Sequence, residues 1–110
     1  MMQVILNILK NAQDNFKEKR IKNPQIRIIT DRDRISIYDN GGGIPIDIKE
    51  KIFDPYFSTK DEKNGTGLGL YMSKIIVEEH HNGDIYAENI DGGVCFIIEL
   101  NNKITISKKF

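Results

Sequence analysis

Apolar residues recur every three to four positions over residues 1–20, a spacing that predicts an amphipathic helix. The apolar arc consists of Val4, Ile5, Ile8, Leu9, Ala12 and Phe16. Asn7 and Asn11 lie four residues apart at one edge of this arc, so their side chains point the same way, beside the core. Because the asparagine amide competes for backbone hydrogen bonds, asparagine is unfavourable inside a helix. Two of them on a half-buried edge therefore indicate a specific role.

Alternation of apolar and polar residues over 25–30 and 34–39 predicts two strands of a hairpin with one buried face. That face carries Ile26, Ile28, Ile35 and Ile37. Asp39 continues the same parity, so we expect its carboxylate on the buried face at the end of a strand. Burying a carboxylate there is costly unless it meets a partner.

The second half of the chain repeats the order of a helix followed by two strands. The glycine-rich segment 65–70 opens a helix that is predicted to run to about His81, and strands are predicted at 84–88 and 94–100. The predicted apolar stripe of this helix is Leu68, Tyr71, Met72, Ile75 and Ile76. A short helix over 46–52 and an edge strand or tail over 103–107 complete the pattern. This order predicts an α+β fold of two layers, with a mixed or antiparallel sheet covered by helices on one face.

Composition narrows the class of function. The 110 residues suit one domain, and 16 basic against 16 acidic side chains leave no net charge. This balance argues against a nucleic-acid partner and against a polybasic membrane contact. The single cysteine, Cys95, excludes an internal disulfide and a cysteine-based zinc site, and a reducing cytoplasmic compartment is the default.

Two glycine-rich segments carry candidate chemistry. Gly41, Gly42 and Gly43 allow close approach of the backbone to a ligand, and the run at 65–69 before a helix is suited to phosphate. Taken alone, the second run equally fits a flexible linker, and its spacing is not that of a P-loop. Asp39 could accept the amino group of adenine or could be a plain turn residue. The asparagine pair could give amide oxygens to Mg²⁺ or could be ordinary helix-edge amides.

Four motifs in order resemble the catalytic ATP-binding domain of sensor histidine kinases, in the superfamily shared with gyrase, the large heat-shock chaperone and mismatch-repair ATPases. Asn7–Ala12 resembles its asparagine box and Asp39–Pro45 its first glycine box. Ile52–Lys60 resembles its phenylalanine box and Gly65–Leu70 its second glycine box. The resemblance covers nearly the whole chain, from Gln3 to about Leu100. It implies a Bergerat-type ATP-binding fold that lacks its first elements.

The resemblance implies ATP and Mg²⁺ as ligands. Asn11 and Asn7 would act in catalysis by contacting Mg²⁺ and the phosphates. Asp39 would take the adenine amino group. Gly41 and Gly43 would let the backbone close around the base.

Residues 53–66 would form a lid over the nucleotide within a single domain that spans 1–110. Lys60 would reach the terminal phosphate as a third catalytic residue, while Gly67 and Gly69 would present backbone N–H groups. The remaining implied contacts to the nucleotide are Ile44, Phe53, Ser58, Thr59, Thr66, Leu68 and Leu70.

Departures from the family pattern affect the predicted reaction. Superfamily ATPases carry a glutamate base at the position of Asn7, so asparagine here favours phosphoryl transfer over hydrolysis. Many kinase members have a lysine and an aromatic residue where Asp14 and Asn15 stand. A nucleotide-binding interaction module without catalysis therefore remains open, as does a serine kinase of the anti-sigma type. His80 and His81 do not match the acceptor pattern, because no acidic residue follows either of them.

The implied reaction needs partners outside this chain. A histidine on a separate dimerisation domain would receive the γ-phosphoryl group, and a response regulator would be the indirect partner. Family domains begin with a strand and a helix before the asparagine box, which here lies close to the start of the chain. We therefore expect a domain that is less stable than a complete one, or that self-associates through an uncovered sheet edge.

Overall fold

The computed structural model describes residues 1–57 and 68–100. Its elements are α1 (Met2–Lys19), β1 (Ile26–Asp31), β2 (Arg34–Asp39), a 3₁₀ turn (Lys49–Lys51), α2 (Gly69–Ile75) with a π-helical continuation (Ile76–His80), β3 (Asp84–Ile90) and β4 (Gly93–Glu99). The predicted helices and strands are confirmed to within a few residues at their ends. The strand predicted at 103–107 lies outside the described residues. No described helix combines the length and hydropathy that a membrane crossing requires.

The four strands form one antiparallel sheet in the order β1-β2-β4-β3. The chain therefore has the predicted α+β fold, with an antiparallel rather than a mixed sheet. In the centre of the sheet Ile37 lies opposite Phe96, and Asp39 at the end of β2 lies opposite Val94. Since the core contains Ile37 and Phe96, the parity argument places the Asp39 side chain on the covered face.

The core lies between this face and the two helices. Val4 and Ile8 of α1 and Val77 after α2 are buried against Ile37 and Phe96 of the sheet. Helices α1 and α2 also contact each other. The core is thus mainly one apolar layer between the helix pair and one face of the sheet, with the Asp39 carboxylate buried at its end.

The prediction that Ile26 and Ile28 are buried is wrong. They are 38% and 46% exposed, and every residue of β1 is exposed. Ile28 does lie opposite buried Ile37 and shares its face. However, β1 is an edge strand, and the described helices do not reach far enough to cover it.

The predicted stripe of the second helix is also partly wrong. Met72 is 44% exposed, whereas Ser73 and Val77 are fully buried. Ser73 was missed because a search for apolar periodicity passes over a serine. Its hydroxyl can be buried because it is hydrogen-bonded, donating to the Gly69 carbonyl oxygen at 2.9 Å.

Candidate functional site

Asp39 is a buried carboxylate at the end of a strand. The residue is 4% exposed, and its Oδ1 accepts a hydrogen bond from the Gly41 N–H at 2.9 Å. Within residues 1–57 and 68–100 this is the one hydrogen bond to the carboxylate, so acceptor capacity remains for N–H donors of a ligand. Burial raises the pKa of Asp39, and the Gly41 N–H and the nearby charge of Lys19 oppose that rise.

The glycine loop after Asp39 packs against the last turns of α1. A Cβ at Gly41 would come within 3.2 Å of the Phe16 ring, and one at Gly42 within 2.9 Å of Lys19 Nζ. Gly42 has a φ of 88°, which favours glycine at this position. Phe16 was predicted to belong to the core, but its half-buried ring lies against this loop. The end of α1 thus forms one wall beside Asp39.

Asn89 fixes the other side of the loop. Its Oδ1 accepts a hydrogen bond from the Ile44 N–H at 2.7 Å, and its Nδ2 donates to the Ile44 carbonyl oxygen at 2.8 Å. The Gly42 N–H donates to the Gly92 carbonyl oxygen at 3.1 Å in the β3–β4 turn. Sequence reasoning missed Asn89 because it is separated from its partner by 45 residues. An asparagine near the end of a strand is a weak signal by itself.

Asn89→Ala is expected to release the loop, because it removes both hydrogen bonds to Ile44. Exposed hydrogen bonds of this kind contribute about 1 kcal/mol each to stability, so we expect a small loss of stability and faster amide exchange over residues 40–46. Hydrogen exchange measured by mass spectrometry checks this. Glu88→Ala, on the neighbouring exposed position, is the matched control. Unchanged exchange in this loop would contradict the assignment.

Asn7 joins α1 to the start of α2. Its Nδ2 donates to the Gly69 carbonyl oxygen at 3.1 Å and to Ser73 Oγ at 3.0 Å, and its Oδ1 accepts from Gln3 Nε2 at 3.1 Å. The carbonyl of Gly69 can only accept, so this contact fixes which end of the Asn7 amide faces α2. The amide oxygen is therefore directed away from α2.

Asn11 lies one turn after Asn7 in the half-buried part of α1. Beside it, Lys10 Nζ and Asp14 Oδ2 form an ion pair at 3.4 Å across one helical turn. Asp14 stands where the family resemblance leads us to expect a lysine, and the ammonium group of Lys10 lies beside its carboxylate. Among the described residues, no group of three histidine, cysteine, aspartate or glutamate side chains could hold a metal ion. The described residues would therefore offer amide oxygens, and not a carboxylate or histidine cluster, to a cation at this site.

Three of the residues predicted to contact a nucleotide pack against the core. Ile44, Phe53 and Leu70 are partly buried and lie against the core cluster. The Phe53 ring meets Phe96 edge-on with centroids 6.3 Å apart, and Lys74 Nζ lies 5.9 Å from the Phe53 centroid. These contacts explain why apolar residues are needed here, and contact with a ligand stays a prediction.

Of the other residues predicted to contact the nucleotide, three are described by the structure and five are not. Gly43 is exposed beside Asn89, and Leu68 precedes α2, with its carbonyl oxygen accepting the Met72 N–H at 2.8 Å. Gly69 begins α2, and a Cβ there would make only ordinary contact with Asn7 at 4.0 Å. The others lie outside the described residues; they are Ser58, Thr59, Lys60, Thr66 and Gly67.

The candidate site consists of two groups of residues, and helix α1 contributes to both. At one end the glycine loop and Asp39 lie against Phe16, and at the other Asn7 contacts the start of α2. Phe16 lies nine helical steps after Asn7, or about 14 Å along the axis at 1.5 Å per residue. A ligand that touched both ends would be elongated, with N–H donors at the Asp39 end.

Comparison with known protein families gives one match over nearly the whole chain. Residues 1–104 match the model described as "Histidine kinase-, DNA gyrase B-, and HSP90-like ATPase". Among curated proteins, the signal transduction histidine-protein kinase AtoS of Escherichia coli is 40% identical over 102 residues, covering 91% of this chain and 16% of that protein. The sensor protein kinase WalK of Staphylococcus haemolyticus is 41% identical over 107 residues, covering 91% of this chain and 17% of that protein. The chain thus spans less than a fifth of the length of these relatives.

A solved structure agrees with these matches. The nucleotide-free catalytic domain of the histidine kinase ThkA superposes with a TM-score of 0.72 at 40% sequence identity. The match covers 89% of this chain and 64% of that one. The similarity therefore extends to the three-dimensional arrangement of the helices and the sheet.

Proposed function

The chain belongs to the histidine kinase-, DNA gyrase B- and HSP90-like ATPase family, and we propose that it is the ATP-binding catalytic domain of a sensor histidine kinase. In this proposal residues 1–110 form a single domain, and 53–66 act as its lid over the nucleotide. The observation that carries the proposal is the buried Asp39 carboxylate, which receives one described backbone hydrogen bond and lies beside a glycine loop.

Asp39 defines the adenine end. A carboxylate accepts N–H donors, and the amino group of adenine is such a donor. The Gly41 N–H orients Oδ1, and Lys19 supplies a nearby positive charge that favours the ionised form. Gly41 and Gly43 lack side chains that would separate the base from the loop. The Asn89 contacts to Ile44 hold this loop in place before the ligand arrives.

Asn7 and Asn11 define the phosphate end. Their amide oxygens suit Mg²⁺, a hard cation that prefers oxygen ligands and keeps several waters. The donor set fits, because Nδ2 of Asn7 is engaged by Gly69 and Ser73, while Oδ1 faces the other way and keeps one lone pair beside the hydrogen bond from Gln3. Bound Mg²⁺ would neutralise phosphate charge. The family resemblance adds Lys60, Gly67 and Gly69 at the phosphates, together with Ser58, Thr59, Thr66, Leu68 and Leu70 along the nucleotide.

The proposed reaction transfers the γ-phosphoryl group of ATP to a histidine on a separate phosphoacceptor domain, from which a response regulator would receive it. In such transfers the protein mainly positions the reactants and stabilises charge. Asn7 cannot act as a base toward water, which supports transfer over hydrolysis. The described residues would therefore bind and orient ATP, and the nucleophile would come from the acceptor domain.

Transfer in trans tests this proposal. We expect the chain to bind an ATP analogue and, given ATP, Mg²⁺ and a histidine-bearing helical hairpin, to yield phosphate on the hairpin that is labile to acid. The matched control is the same hairpin with its acceptor histidine replaced by glutamine. Acid-stable phosphate would instead indicate a serine kinase of the anti-sigma type.

One observation favours a second candidate, a nucleotide-binding interaction module without catalysis. The position that many kinases fill with lysine holds Asp14, which is paired with Lys10. A carboxylate there adds negative charge near the proposed phosphate end. Measurable ATP binding together with no phosphoryl transfer to the hairpin would support this alternative.

A further inference from the structure

Ser73 is a fully buried polar side chain that the proposed reaction does not use. It lies in the middle of α2, and its exposed fraction is 0%, the lowest among the buried polar residues that the structure describes. A fully buried position in a helix is usually apolar, because an unsatisfied hydroxyl group there destabilises the fold. Serine also has a lower helix propensity than alanine. The hydroxyl group of Ser73 therefore needs a specific explanation.

The Ser73 hydroxyl group closes a ring of three hydrogen bonds. Its Oγ donates to the Gly69 carbonyl oxygen at 2.9 Å and accepts from Asn7 Nδ2 at 3.0 Å, while Asn7 Nδ2 also donates to the Gly69 carbonyl oxygen at 3.1 Å. A hydroxyl group has one proton, and here that proton goes to a carbonyl oxygen, which can only accept. Ser73 Oγ is therefore left as an acceptor, and it can receive only the NH₂ end of the Asn7 amide.

This ring sets the orientation of the Asn7 amide. Both of its N–H hydrogens are used by α2, so Oδ1 points to the other side, where Gln3 Nε2 donates to it at 3.1 Å. A carbonyl oxygen has two lone pairs, and one remains for a further partner. Turning the amide over would bring Asn7 Oδ1 against the Gly69 carbonyl oxygen without a proton between them. The orientation that presents Oδ1 away from α2 is thus the stable one.

We propose that Ser73 is a positioning residue for the cation of the bound nucleotide, and that it acts through Asn7. It holds the amide so that Oδ1 faces the cation, and it does not contact the nucleotide itself. This inference rests on the proposed function, in which Asn7 Oδ1 is an oxygen ligand of Mg²⁺. Replacing a hydrogen-bonding partner that orients a metal ligand typically lowers metal affinity by about 10- to 100-fold.

The Gly69 carbonyl oxygen alone holds the amide less firmly. Without the Ser73 hydroxyl group, Asn7 Nδ2 keeps one of its two acceptors in α2, and the amide gains freedom to turn about its side-chain bonds. An oxygen that samples several directions is a poorer ligand for Mg²⁺, which demands near-ideal octahedral geometry. The proposed adenine end lies beside Phe16, about 14 Å further along α1. Loss of the hydroxyl group is therefore expected to affect the cation and not the base.

Titration with a fluorescent ATP analogue, with and without Mg²⁺, tests the proposal in Ser73→Ala. The quantity to compare is the Mg²⁺ gain, which is the affinity for the analogue with Mg²⁺ divided by the affinity without it. We expect this gain to fall by about tenfold or more, while the affinity without Mg²⁺ stays unchanged. The matched control is Ser36→Ala, which removes a buried hydroxyl group from the face of the sheet opposite the helices and is expected to preserve the gain.

A second measurement needs no nucleotide. Exchange of the Asn7 side-chain amide hydrogens with water, followed by NMR, is expected to be slow in the original chain and faster in Ser73→Ala, because one hydrogen loses its acceptor. Ser36→Ala should leave this exchange unchanged. Circular dichroism confirms that each variant is folded. If the alanine variant does not fold, Ser73→Cys takes its place, since it keeps the volume and forms only weak hydrogen bonds through its thiol.

The two measurements separate this proposal from the proposed function. An original chain that binds no ATP analogue overturns the proposed function, and amide exchange then still decides whether Ser73 orients Asn7. A chain that binds the analogue, but in which Ser73→Ala lowers affinity equally with and without Mg²⁺, overturns the positioning role and leaves the proposed function intact. Unchanged amide exchange in Ser73→Ala, or an unchanged Mg²⁺ gain, would also overturn the positioning role.

Discussion

Asp39→Asn is expected to weaken ATP binding by about 100-fold or more, the largest effect that we predict for a single polar substitution at the site. A hydrogen bond to a charged acceptor is worth up to about 3 kcal/mol, and the new amide would also present an N–H group toward the adenine amino group. Oδ1 of asparagine can still accept from the Gly41 N–H, so the loop itself is expected to persist. Titration with a fluorescent ATP analogue, with and without Mg²⁺, measures the change.

The same substitution is expected to leave stability at pH 7 unchanged or to increase it. Burial raises the pKa of Asp39 in the folded chain above its unfolded value of about 4, so the folded state binds this proton more tightly. Its contribution to stability is then complete below about pH 4 and is lost as the pH rises through the folded pKa. An amide does not ionise, so the Asp39→Asn variant does not lose stability as the pH rises through this pKa. Conversely, ATP binding to the original chain should weaken on acidification, beginning above the usual aspartate range.

Asp47→Asn, at an exposed aspartate, is the matched control for both measurements. If the Asp39 variant binds ATP as well as the original chain, the adenine assignment is wrong. If it instead melts several degrees lower at pH 7 and higher at acidic pH, the carboxylate has a structural partner in the folded chain.

Gly93→Ala is expected to cause a large loss of stability. A Cβ at Gly93 would lie 1.8 Å from the Asp39 carbonyl oxygen and 2.8 Å from its carbonyl carbon, and neither is a flexible side-chain atom. Relief would require β2 and β4 to separate at the end of the sheet that holds Asp39. We expect a loss of about 4 kcal/mol or more, which is a large share of the stability of a small domain. Urea denaturation followed by circular dichroism gives this value.

Gly92→Asn is the control at the neighbouring position. Gly92 has a φ of 77°, and a Cβ there would meet nothing within 4 Å. Since asparagine tolerates left-handed backbone conformations better than most residues, we expect a loss of about 1 kcal/mol. Equal destabilisation by both substitutions would contradict a specific close contact at Gly93.

The sequence predicted those features that follow from local periodicity. Parity along β2 placed Asp39 on the covered face, and the helical spacing placed Asn7 and Asn11 on one edge of α1. The exposure of Ile28 was not predictable in this way, because alternation shows which residues share a face and not how far the helices extend over it. Asn89 was missed for a different reason: its partner, Ile44, is distant in sequence, and the pairing depends on how the sheet brings the two loops together.

The amide of Asn7 couples the two helices to the proposed cation. Its Nδ2 holds the start of α2 through Gly69 and Ser73, while its Oδ1 is the atom proposed to face Mg²⁺. Because the two ends of an amide share one conjugated system, a cation at the oxygen withdraws electron density and makes the N–H groups stronger donors. In the apo chain the same oxygen accepts the Gln3 Nε2 hydrogen bond at 3.1 Å, so one side chain would serve both the contact between the helices and the proposed cation.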